Sequence, residues 1–79
     1  MALVTSASAL AAAGVSERET EVLALLGEHL SHAEIAARLF ISVRTVESHV
    51  AALRRKLCVS NHRELVRLAA GYLAARTGP

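Results

Sequence analysis

The chain is poor in the residues that staple or punctuate many small folds. It holds one cysteine, Cys58, in 79 residues. No internal disulfide framework can form, and a reducing compartment, the cytoplasm, fits this usage. The single proline is the last residue, so no missing N–H interrupts a helix in the body of the chain. Aromatic residues make up only 3%, so the core has to be built from aliphatic side chains. No apolar run approaches the ~20 residues of a membrane span. The opening MALVTSASALAAAG lacks a basic n-region, and Thr5, Ser6 and Ser8 break its apolar run. It reads as a flexible tail or linker over residues 1–14 rather than as a signal peptide.

What remains is helix-forming material. Hydrophobic residues reach 53%, enough to drive folding, and much of that share is alanine and leucine, which favour helices. The length suits one small domain with a modest core. Charge is unevenly placed. Residues 1–37 carry one arginine against five glutamates, whereas residues 38–67 carry six arginines and a lysine against two glutamates. A basic block in a chain of net charge +2 suits an anionic partner, although a solvated surface has the same composition.

Helix starts recur along the chain. Ser16-Glu17-Arg18-Glu19 and Ser31-His32-Ala33-Glu34 have the form of capping boxes, with serine at the N-cap and glutamate three residues on. Ser42 is a plain N-cap, and Asn61 with Glu64 is a weaker box. Four helices are predicted, over 17–28, 32–39, 43–57 and 62–75, with no strand alternation anywhere. The first buries Val22, Leu23, Leu25 and Leu26, and the second Ile35, Ala36 and Leu39. In the third, Val46, Val50, Leu53 and Leu57 fall within about 60° of arc at ~100° per residue. In the fourth, Leu65, Leu68, Ala69, Tyr72 and Leu73 form one face. Only about three residues link the second and third helices, a connection that imposes a steep crossing of the helix-turn-helix kind. Ala36 is small enough for close approach, and Phe40 and Ile41 are expected to plug beneath the crossing. The same crossing also occurs in helical hairpins that bind no DNA.

Opposite the buried stripe of the third helix lie Arg44, Ser48, Ala51 and Arg55, about 140–200° away. The face is small in the middle and basic at its ends, with Arg54 and Lys56 on its flanks and Glu47 bordering it. Such a surface suits a major groove, with base edges read in the middle and phosphates held at the rims. Two roles are open to Glu47. It can accept from a cytosine amino group, or it can pair with Arg44 or Arg54 at the surface for little energy.

The stretch VSERETEVLALLGEHLSHAEIAARLFISVRTVESHVAALRRKLCVSNHRELVRLAA, residues 15–70, resembles the LuxR-type (GerE, FixJ/NarL-type) helix-turn-helix domain of bacterial transcription regulators. The matching elements are SERETEVL, EIAARLFIS, TVESHV, and KL followed by V and EL. The resemblance implies an all-α, four-helix helix-turn-helix domain over 15–76, followed by a tail at 77–79. It implies that Glu19 ties the first helix to the rest of the domain. Arg44, Thr45, Glu47, Ser48, Ala51, Arg54, Arg55 and Lys56 become the candidate DNA contacts, with Arg44, Arg54, Arg55 and Lys56 at phosphates. It implies a structural or phosphate-contacting role for His49, and dimerisation through the fourth helix, at Val66, Ala70 and Leu73. The implied partners are double-stranded DNA and a second copy of the chain, with RNA polymerase a further candidate and no membrane. A missing sensor domain would join through the Ala/Ser-rich stretch before Val15, and a stand-alone regulator is the alternative. The chain departs from the pattern at His29 and Cys58, where relatives mostly have glycine in a left-handed helix-closing position, and at Glu47, where many have lysine.

Catalysis is not expected. No nucleophile–base pair, glycine-rich phosphate loop or spaced metal set is present, and no cofactor is called for. Cys58 and His62 are four apart, but the predicted helix break at Asn61 separates them, and no second pair completes a zinc site. A helical protein-interaction module is the remaining rival, using the fourth helix and leaving the basic face idle.

Overall fold

A computed structural model describes residues 7–77, with side chains at 8–75. The described chain is all-helical: α1 (Ala7–Ala12), α2 (Glu17–Gly27), α3 (His32–Leu39), α4 (Val43–Lys56) and α5 (His62–Thr77). Four of these are the expected helices, to within two residues at each end. The fifth, α1, lies where the sequence suggested a tail. It carries Leu10 into the core at 1% exposure, and Val15 follows it there. Residues 1–6 and 78–79 lie outside the described residues.

The starts form as their sequences dictate. The Ser16 hydroxyl accepts from the Glu19 N–H at 3.1 Å and the Glu19 carboxylate accepts from the Ser16 N–H at 2.9 Å, closing a capping box on two otherwise unpaired donors. Ser31 and Glu34 repeat it at 3.1 and 2.7 Å. Ser42 caps the Thr45 N–H at 3.0 Å, and the Asn61 side chain caps that of Glu64 at 2.9 Å.

The ends share one device. Gly14, His29, Phe40 and Cys58 all have positive φ, at 84°, 64°, 58° and 56°. Directly after each, an apolar residue sends its N–H back five positions: Val15 to Leu10, Leu30 to Leu25, Ile41 to Ala36 and Val59 to Arg54, over 2.9–3.4 Å. This is the closure of a Schellman turn, and in every case the residue after the left-handed one is apolar and turned inward. Val15 is in the core, and Leu30, Ile41 and Val59 pack against it. The left-handed residue faces out while its successor turns in. Phe40 therefore does not plug the crossing with Ile41, as the sequence reading expected. It stands 94% exposed, and Ile41 fills the inner position alone.

Val22, Leu23, Leu26, Ile35, Val46, Leu53, Leu65 and Ala69 are wholly buried and form the centre of the core. Leu39, Leu68 and Leu73 pack at its margin. α2 packs most extensively on α5 and also supports α4, while α3 rests on α4. The α2–α5 approach is tight at Gly27, where a Cβ would stand 2.6 Å from the Ala69 carbonyl oxygen. That residue has to be glycine for backbone to meet backbone there. A ring contact that no local pattern announces joins the first residues of α3 and α5: His32 and His62 meet edge to face, centroids 5.4 Å apart.

Candidate nucleic-acid interface

The interface is built on α4. Val46, Val50, Leu53 and Leu57 are buried, at 8% exposure or less, and they set the rotation of the helix about its axis. That rotation turns Arg44, Ser48, Ala51 and Arg55 outward, and all four are exposed, as are Thr45 and Glu47. The predicted second face therefore exists as a continuous surface. At its N-terminal end the hydroxyls of Ser42 and Thr45 lie 2.8 Å apart, beside a helix start whose free N–H groups favour an anion. His49 is half-buried, at the edge of the core stripe.

The basic residues divide into two pairs. Among the described residues, the side chains of Arg44 and Arg55 form no ion pair or hydrogen bond. Glu47 likewise pairs with neither Arg44 nor Arg54, so its carboxylate is left to solvent or to a ligand. Lys56 and Arg54, in contrast, are engaged within the domain. The Lys56 ammonium donates to the Glu19 carboxylate at 2.8 Å. The Arg54 guanidinium donates through one terminal nitrogen to the Ser60 carbonyl, while its Nε is buried with no partner. These two side chains fit the phosphate-holding role less well than Arg44 and Arg55 do. Nothing in the sequence distinguishes the pairs, because both partners lie on other elements.

Glu19 is the buried charge beneath the interface, at 7% exposure. Burial alone would raise its pKa. The hydrogen bond and charge of Lys56, with the N–H and hydroxyl of Ser16, outweigh that and hold the carboxyl below its ordinary value. An ionised Glu19 thus joins the start of α2 to the last turn of α4, which is the tie that the resemblance implied. The exposed Glu34 carboxyl is also lowered, chiefly by the Ser31 backbone N–H.

On α5, Val66, Ala70 and Leu73 are half-buried, and Leu73 spends part of its surface on the domain's own core. They leave a partial apolar strip beside the packed face. Cys58 and His62 are separated by the loop before α5, and among the described residues no three His, Cys, Asp or Glu side chains gather as metal ligands. Likewise, no described helix is long and apolar enough to cross a membrane.

Residues 13–69 match the bacterial regulatory proteins of the luxR family (GerE). The oxygen regulatory protein NreC of Staphylococcus carnosus is 42% identical over 55 residues, which cover 70% of this chain and 25% of the relative. The same figures hold for NreC of Staphylococcus aureus strain JH9. The matched region thus spans about a quarter of the length of these relatives. No solved structure matches the chain at a significant level. With the family pattern running from just after α1 into α5, over well more than half of the chain, the chain belongs to the luxR family of bacterial regulatory proteins.

Proposed function

We propose that this domain binds double-stranded DNA sequence-specifically, as the effector module of a bacterial transcription regulator. α4 enters the major groove, Ser48 and Ala51 approach base edges, and Arg44 and Arg55 hold the flanking phosphates. Thr45 meets the backbone at the groove's edge. Glu47 selects a base, accepting from cytosine in preference to acting as electrostatic glue. The domain acts as a dimer through the Val66, Ala70 and Leu73 strip of α5, placing one recognition helix in each half-site of a two-fold operator. It works in the cytoplasm, performs no catalysis, and has RNA polymerase as a candidate further partner.

The observation that carries this reading is the two-sidedness of α4. One side is buried; the other is an exposed, small-centred, arginine-ended surface with an unpaired acid. Electrophoretic shifts of random duplex at two salt concentrations test it. A dimer making about six phosphate contacts loses on the order of 10³-fold in affinity between 50 and 200 mM salt. A protein-interaction module shows no duplex binding even at low salt. Selection from a random duplex pool should return a two-fold consensus, and enrichment of no sequence would refute specific reading.

A further inference from the structure

We infer that Arg54 is a positioning residue which, with Ser60 and Glu64, clasps the recognition helix to α5 and thereby sets the half-site spacing the dimer accepts. The inference rests on the proposed DNA binding and on dimerisation through α5. α4 and α5 share little direct packing, because each leans mainly on another helix. What joins them is the turn 57–61. Its N-terminal half folds back on α4, with the N–H groups of Cys58 and Val59 donating to the Arg55 and Arg54 carbonyls at 3.3 and 2.9 Å. The Arg54 guanidinium then donates to the Ser60 carbonyl. Ser60 in turn donates to the Glu64 carboxylate, from its N–H at 3.3 Å and its hydroxyl at 3.4 Å.

The result is a polar chain from the last turn of α4 to the first turn of α5. Arg54 is committed to it: its side chain is half-buried, with Nε shielded from solvent. In a dimer built on α5, the angle between α4 and α5 fixes the separation of the two recognition helices, and half-sites are read about one helical turn apart. The core sets that angle coarsely, and the clasp removes the remaining play at the turn.

The test uses Arg54→Leu and Glu64→Ala, which change charge in opposite directions. The selected half-site is placed once, or twice at spacings stepped by one base pair, and dissociation constants are measured at several salt concentrations. Thermal melts establish that both variants fold, and the Asn61 cap on the Glu64 N–H does not need the glutamate side chain. Wild-type protein should prefer one spacing by about tenfold, a coupling of ordinary size. Both variants should shrink that preference severalfold while binding the single half-site as wild type does.

Purely electrostatic roles would instead shift affinity in opposite directions and leave the spacing preference intact. That result overturns the proposal. So does a salt slope reduced by ~0.9 in Arg54→Leu, the signature of one lost phosphate contact. Wild-type binding with no spacing preference also refutes it, while leaving DNA binding standing. Absence of any duplex binding by wild type refutes the DNA reading itself.

Discussion

Phe40 shows how a single residue can be costly on two counts. It is a bulky side chain in the left-handed region, where a Cβ costs roughly 1–2 kcal/mol, and its ring is almost fully solvated. Replacing it by glycine removes the first cost and forfeits no burial. Phe40→Gly should therefore raise stability by about 1 kcal/mol, after the extra freedom glycine gives the unfolded chain is set against the relief. Urea denaturation would read this directly, and a loss of stability would mean that the ring makes contacts absent from this structure. Glu19 gives a second case, with pH as the lever. Its folded pKa is depressed, so the stability it contributes is present above the unfolded value near 4.3 and lost as pH falls through the folded one. Glu19→Gln should cost about 1 kcal/mol at pH 7. Its denaturation midpoint should then fall less steeply than that of wild type on acidification to pH 3, which urea titrations at the two pH values would measure.

At the scale of elements, the sequence was most readable where a local rule is sufficient. Serines at N-caps and the 3.6-residue stripe of Val46, Val50, Leu53 and Leu57 specify start and facing without help from the rest of the fold. Leu53 is wholly buried, and Leu53→Ala should cost roughly 2–5 kcal/mol in equilibrium unfolding. A near-neutral result would mean that α4 is rotated otherwise. The helix ends were harder to read. Only Gly14 carries the residue that normally signals a left-handed closure. At His29 and Cys58 the closure was legible only through the resemblance, and at Phe40 it was not legible at all. The stripe of α4 located Arg54 and Lys56 correctly on the flanks, but their partners, Ser60 and Glu19, are tertiary neighbours that no helical period reveals. α1 was missed for a related reason. An Ala/Ser-rich run with one useful leucine has no periodicity of its own, and it becomes an element only because the core accepts Leu10.

For the molecule as a whole, the surface charge is the property that other molecules sense first. Net charge is only +2, so function depends on where charge stands rather than on its total. Glu47 lies exposed beside the outward face of α4 and repels any phosphate there. Glu47→Lys should tighten binding to random duplex and steepen the salt dependence by up to ~0.9 per half-site, at the expense of discrimination among selected sequences. Unchanged binding to random duplex at low salt would place Glu47 away from the DNA. The manner in which α1 is held has its own consequence. A six-residue helix is far too short to persist alone in water, so its order is borrowed from the core, which holds Leu10 within it and Val15 just after it. Withdrawing this small anchorage should release the segment while the four capped helices stay shut. The amides after Ser8 should therefore exchange with solvent at a far lower opening free energy than those of α2 or α4, and the domain should open at α1 first.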